Sequence, residues 1–235
     1  MPTKPSKKRE RLQGQSLPNS TSATHRRQSP KFCRKSYGHF RKMPNVHVRL
    51  HDWSNQAILD GVRDGRLQVG LIVRPPKASS LRDLRYEELF HERVCVAVSP
   101  QHPFARRRAI PISEVATEPL IGLTHEDYPE YYDYLSITFS KVKQKPRVVE
   151  EHDSMAGILS SVEAGAGVAF GGDLFGYSFG PRVKVLHLTP EPKPISIGLA
   201  ALKGKLSPAA EKFWHCAKEM AYLIARPTKR QLKPC

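Results

Sequence analysis

The body of this chain repeats the order strand, helix, strand, which predicts an α/β fold of two similar-sized lobes. Three observations carry that prediction. Val46-His-Val-Arg-Leu50 alternates apolar and polar residues, an amphipathic stretch follows, and Leu67-Gln-Val-Gly-Leu-Ile-Val73 is a nearly continuous apolar run. The same order returns in Arg147-Val-Val-Glu-Glu151, the stretch after Asp153, and Val168-Ala-Phe170. Each amphipathic stretch lies between a residue suited to cap a helix and a glycine suited to end it.

Taken in order, Val46–Leu50 has the period of two of a half-buried strand. Ser54 caps a helix through Asp64, with Ile58, Leu59 and Val62 on one face and Gly65 at its end. Leu67–Val73 suits a strand covered on both faces, and Arg74-Pro75-Pro76 stops it because proline supplies no ladder donor. Leu84–Leu89 and Val94–Val98 read as strands, the second broken by Ser99-Pro-Gln-His-Pro103. Pro119–Leu123 is a short strand that leads into the polar loop Thr124-His-Glu-Asp127, and a Tyr-rich helix spans about Pro129 to Val142. After Arg147–Glu151, Asp153 is read as the cap of a helix bearing Met155, Ile158, Leu159 and Val162 on one stripe, ended by Gly165-Ala-Gly167. Val168–Phe170, Val183–Leu188 and Ile195–Leu202 are later strands. Ser207-Pro208 opens the last helix, to about Leu223, with Phe213, Ala217, Met220 and Ala221 inward.

The 235 residues carry 38 Lys+Arg against 22 Asp+Glu, a formal net charge of +16. No apolar run approaches the ~20 residues of a membrane-spanning helix. The basic start has no apolar stretch behind it, so no export signal is read and a cytoplasmic location is expected. The charge is uneven, because residues 1–45 hold 12 basic residues and one acid. Residues 1–39 therefore read as a disordered basic tail, either a solvated segment or a nonspecific nucleic-acid arm. Residues 226–235 read as a C-terminal tail.

Cys33, Cys95, Cys216 and Cys235 form no C-x-x-C pair, and no His spacing completes a metal site, so they read as reduced thiols. Gly165-x-Gly167-x-x-x-Gly171 follows a helix and precedes a strand, the reverse of a dinucleotide fingerprint. The neighbours His152-Asp153-Ser154 cannot set up a nucleophile relay, and His125-Glu126-Asp127 reads as a loop mouth before a metal or acid–base cluster. No catalytic residue, metal or cofactor is expected. What remains is loops at the carboxyl ends of strands, where open α/β sheets bind ligands: Ser54-Asn55, Arg74, Thr124-His125, Asp153-Ser154 and Phe170-Gly-Gly172.

Phe40-Arg-Lys-Met-Pro-Asn-Val-His-Val-Arg-Leu-His-Asp52 resembles the opening "F-x-x-x-P-x-V-x-L-x-L" of the effector-binding domain of LysR-type transcriptional regulators. Asp64-Gly-Arg-Leu-Gln-Val-Gly-Leu-Ile72 is similar to that family's "G-x-L-D-x-G-I" strand, with Gln68 in place of the acid. Glu92–Ala105, Glu118–Ile121 and Val162–Phe170 resemble further family segments in the same order. The resemblance spans roughly Phe40 to Met220. It implies two Rossmann-like lobes joined by crossover strands, as in type 2 periplasmic binding proteins. Lobe one is expected at about 40–98 plus 175–225, and lobe two at about 99–174.

The resemblance further implies a small-molecule effector in the interlobe cleft, homo-oligomers, and no enzymatic activity. Carried over by position, the effector site includes Ser54, Asn55, Arg74, Ser99, Thr124, His125, Ser154, Phe170 and Gly171. With Arg74 and the Thr124–His125 loop lining it, a small carboxylate is the expected ligand. Two departures accompany the resemblance. Residues 1–39 carry no helical apolar period for a winged helix-turn-helix, which makes sequence-specific DNA binding doubtful in this chain. Nothing in Ser20–His39 matches the strand and helix that open the family's domain, which leaves the first strand of lobe one without a sequence to form it. The alternatives are a solute-binding-like module, nonspecific nucleic-acid binding by the tail, and a nonfunctional remnant.

Overall fold

The computed structural model describes residues 20–24, 47–173, 176 and 180–225. Ser54 fixes where the first helix begins. Its backbone is extended and its Oγ accepts from the Ala57 amide at 3.2 Å, which satisfies one of the donors a helix start leaves open. Helix α1 (Asn55–Arg63) buries Ile58, Leu59 and Val62. Gly65 follows it at φ +72°, a conformation glycine adopts without Cβ strain. The chain then turns through buried Leu67 and Val69 into strand β3 (Gly70–Val73).

The first sheet has β11 (Ile195–Leu202) at its centre, antiparallel to β3 on one side and to β4 (Leu84–Glu92) on the other. Beside β3 lies β1 (Ser20–Thr24), which pairs in parallel with β2 (His47–His51), Ser20 opposite His47 and Thr24 opposite His51. The strand that the sequence reading left without a source is therefore Ser20–Thr24, and the disordered reading of residues 1–39 fails at that segment. Ser-Thr-Ser-Ala-Thr has no large apolar residue, so hydropathy gives no period; its place comes from the backbone ladder with β2. The rest of 1–39 and the tail 226–235 lie outside the described residues.

The second sheet runs β6 (Ala109–Pro111), β10 (Lys184–Thr189), β5 (Val94–Val98), β9 (Ala169–Gly172). Strand β7 (Pro119–Leu123) pairs in parallel with β8 (Arg147–His152), and a Leu120–Val168 bridge joins them to the β9 side. All five residues of β5 are buried, as a central strand covered on both faces requires. This pairing corrects the expected lobe boundaries: β5 and β10, assigned from sequence to lobe one, are hydrogen-bonded into the second sheet. The chain crosses between sheets at exposed Arg93 and again through 190–194, where Pro190, Pro192 and Pro194 supply no ladder donors.

Three short elements complete the second lobe. They are α2 (Ile112–Val115), α3 (Pro129–Thr138) and α4 (Met155–Glu163). The α4 cap is Ser154, whose Oγ accepts from the Gly157 amide at 3.3 Å, and not Asp153 as expected. Gly165 at φ +80° follows that helix. Helix α5 (Pro208–Ala225) starts at Ser207, whose Oγ accepts from the Ala210 amide at 3.2 Å, and it packs on β4. Each lobe has its own apolar filling. The smaller cluster gathers Ile58, Leu59 and Val62 of α1 with Leu67, Ile72, Leu84 and Ala200, each side chain of this kind contributing about 1.5–3 kcal/mol of burial.

Candidate functional site

Both capped helices begin where the lobes meet. A cavity of about 330 Å³ opens there, lined from lobe one by Asp52, Trp53, Ser54, Ala57 and Arg66 and from lobe two by Asp127, Tyr128 and Asp153. Asp52 and Trp53 follow β2, Asp127 and Tyr128 follow β7, and Asp153 follows β8, so carboxyl ends of strands supply most of the lining. The lobes also touch directly. The Gln56 amide donates to the Asp127 carbonyl at 3.5 Å, and the Tyr134 hydroxyl donates to the Arg74 carbonyl at 2.9 Å. Lys77 Nζ pairs with Asp133 Oδ1 at 2.9 Å.

Of the residues expected in the effector site, Ser54 lines this cavity directly. Thr124 and Ser154 stand immediately beside it. Thr124 Oγ1 donates to Asp127 Oδ2 at 3.1 Å, and its amide donates to the His152 carbonyl at 3.0 Å, which ties the two lobe-two loops together. His125 is exposed, with its ring 4.6 Å from that of Tyr132.

The other five lie outside the lining. Asn55 is only 2 % exposed and clasps Val73, donating to its carbonyl at 3.1 Å and accepting from its amide at 3.0 Å, so both ends of its side chain are spent on joining α1 to β3. Arg74 is exposed and holds its guanidinium 5.4 Å from the centre of the Tyr86 ring, a cation–π contact that takes it away from the cavity. The expected carboxylate anchor is therefore not where the sequence reading put it. Ser99 is buried in the turn after β5 and donates to Gln101 Oε1 at 2.6 Å. Phe170 is 2 % exposed and packs against Tyr131 and Phe139, because an aromatic side chain on a strand of the second sheet gains more from the core than from the cleft. Gly171 is a ladder position opposite Cys95.

Sequence reasoning passed over Asp52, Trp53, Ala57, Arg66 and Tyr128. The signal for Trp53 was its place next to a cap. Arg66 gave none, because the Gly65 turn alone swings it back, with its guanidinium 5.3 Å from the Trp53 ring centre and 2.9 Å from Asp64 Oδ2.

A second polar group sits at the lobe junction behind Arg74. Tyr86 and Ser196 hydroxyls are 2.9 Å apart, and Ser196 Oγ donates to Glu88 Oε2 at 2.5 Å. Burial pushes the Tyr86 phenol up to about 12 and also raises Tyr134. Both phenols are neutral donors at physiological pH.

The arrangement offers no relay for catalysis. His152 Nε2 lies 2.6 Å from Glu150 Oε1 and 3.0 Å from Ser161 Oγ, and a nucleophile relay needs the two ring nitrogens to face different partners. Among the described residues no group of three or more His, Cys, Asp or Glu side chains could hold a metal ion. No helix of the described residues is long and apolar enough to cross a membrane.

Cys95 and Cys216 are 0 % and 4 % exposed, and burial raises both thiols, Cys216 to about 11. The thiolate is the reactive form, so both are inert in the folded chain. N-ethylmaleimide at neutral pH is expected to leave these two unlabelled, by peptide mass mapping, until denaturant is added. Rapid labelling of Cys95 in the native protein would contradict its place at the centre of the second sheet.

Comparison with known proteins bears on the same features. The family described as LysR substrate binding domain matches residues 38–221. The HTH-type transcriptional regulator YybE of Bacillus subtilis (strain 168) is 30% identical over 173 residues, which is 72% of this chain and 56% of that protein. The chain thus spans about half the length of the curated relatives it matches. Among solved structures, the effector binding domain of QuiR in complex with shikimate superposes with a TM-score of 0.75 at 15% identity, covering 87% of this chain and 97% of that one. The Synechocystis PCC6803 CcmR regulatory domain in complex with 2-PG gives 0.74 at 19% identity, covering 86% and 97%. At these identities the structures establish the fold, the two-lobed type 2 periplasmic-binding-protein-like arrangement expected from sequence. With the family matched over most of its length, this chain belongs to the LysR substrate binding domain family, the effector-binding part of non-enzymatic transcriptional regulators.

Proposed function

We propose that the chain senses a small-molecule effector held in the cavity between its lobes, and that occupancy changes how the lobes sit together and so the behaviour of a regulator assembled from several copies. The observation that supports this reading is the lining itself: Ser54 and Arg66 on one lobe face Asp127 and Asp153 on the other across about 330 Å³, room for a metabolite of modest size. A ligand that touches both lobes binds the closed arrangement better than the open one, and that difference is the free energy available for signalling. QuiR and CcmR domains holding shikimate and 2-PG support the same use of the fold. A carboxylate effector would meet Arg66, the single base in the lining.

The test is thermal unfolding of the full chain against a panel of acids, amines, sugars and neutral metabolites, with Ala57→Trp as the control that fills the cavity. A true effector at a hundred times its Kd adds about 2.7 kcal/mol. That gain is expected to vanish in Ala57→Trp. If no compound stabilises the parent protein, or if stabilisation persists with the cavity filled, the reading fails.

A further inference from the structure

The charge of the cavity points to its ligand. The lining holds three carboxylates, Asp52, Asp127 and Asp153, against one guanidinium, Arg66. Arg66 is already engaged by Asp64 at 2.9 Å, outside the lining, so it does not offset the acids that face the cavity.

Helix starts normally favour anions, and two helices begin here. Their first donors are taken. On α1, the Gln56 amide goes to the Asp127 carbonyl, the Ala57 amide to Ser54 Oγ and the Ile58 amide to the Ser54 carbonyl. On α4, Ser154 accepts from the Gly157 amide through Oγ and from the Ile158 amide through its carbonyl. An anion would therefore meet three acids with few free donors to hold it. Asp153 has an exposed carboxylate with no protein partner, and Asp127 has a hydroxyl donor on one oxygen, Oδ2. The aromatic wall supplied by Trp53 and Tyr128 suits a cation as well. The net +16 of the chain does not reverse this, because most of the excess lies in residues 1–45 and charges more than about 8 Å away are largely screened at physiological salt.

We propose that the effector presents a protonated amine to Asp127 and Asp153. This rests on the effector-site reading above and sharpens it from a small molecule to a cationic or zwitterionic one. A zwitterion can also place its carboxylate toward Arg66.

The experiment uses four compounds of equal length at matched ionic strength: 1,4-diaminobutane, 4-aminobutanoate, butanedioate and 1,4-butanediol. Thermal unfolding and calorimetric titration of the full chain are expected to rank the two amines above the diol, with butanedioate last. Asp153→Asn is expected to leave the ligand-free unfolding temperature unchanged and to weaken amine binding about tenfold, the worth of one charge-assisted contact; Asp127→Asn should do the same and still accept from Thr124. Butanedioate or the diol binding as well as the amines overturns the proposal, as does unchanged amine affinity in both Asn variants. In those cases loss of binding in Ala57→Trp would still uphold the cavity as the effector site. If none of the four binds, the amine assignment falls, and the broad metabolite panel alone decides the fate of the site.

Discussion

Replacing Trp214 by alanine is expected to lower the unfolding free energy by about 3–5 kcal/mol, the range for removing a large aromatic from a core. Trp214 is the largest fully buried side chain among the described residues. It anchors α5 to the first sheet by three kinds of contact at once. Its ring is buried; its indole N–H donates to Glu87 Oε2 at 2.6 Å; and the Arg85 guanidinium lies 4.3 Å from the ring centre. Burial alone would raise the Glu87 carboxyl, but hydrogen bonds from Lys218 and Trp214 outweigh it and hold Glu87 below its ordinary range. The alanine variant thus leaves a cavity and removes a donor from a carboxylate that is ionised at neutral pH. Urea unfolding followed by circular dichroism measures the loss as a shift of midpoint at constant slope. A loss below about 1 kcal/mol would mean that α5 is not seated on β4.

Asn55→Leu is expected to cost about 2–5 kcal/mol, because it keeps the size of a buried side chain and leaves two backbone groups of Val73 without partners, each worth about 1–3 kcal/mol. The same variant separates two roles. An effector contact at Asn55 would make the change fall mainly on ligand affinity. The clasp makes it fall on stability, with affinity in the remaining folded protein within about twofold of the parent. Unfolding curves and titrations on the same samples decide between them, and a large affinity loss at unchanged stability would return Asn55 to the effector site.

Legibility in the sequence follows the range of the interactions. Ser54, Gly65, Ser207 and the stripe on α4 are set by neighbours within a few residues, and caps, turns and periods expose them. The β1 segment has no apolar residue larger than alanine, and its position depends on a ladder with residues 27 positions later, so composition reads it as tail. Strands β5 and β10 were readable as strands, but not the sheet they join, because an apolar run says that both faces are covered and not by what. Strand β6 and helix α2 are three and four residues long, too short for a period to show. In the cavity, strand-end logic reached Ser54 and the loops of Thr124 and Asp153. It failed for Arg74 and Phe170, whose side chains found better partners in Tyr86 and in the aromatic core. It missed Arg66, which a glycine turn brings back twelve residues after Ser54.

The two crossings at Arg93 and at 190–194 have a consequence for how the molecule is made. Everything in the second sheet lies between them in one unbroken stretch of chain, whereas the first sheet is interrupted. Its central strand, β11, is the last strand in sequence, and it separates β3 from β4, both present more than 100 residues earlier. During synthesis from the N-terminus the second lobe has all its strands before β11 exists. The first lobe waits with a gap at its middle until residue 202 and then the α5 helix emerge. Its sheet closes by insertion between two older strands, a slow class of step because distant segments must meet before any contact repays the loop they close.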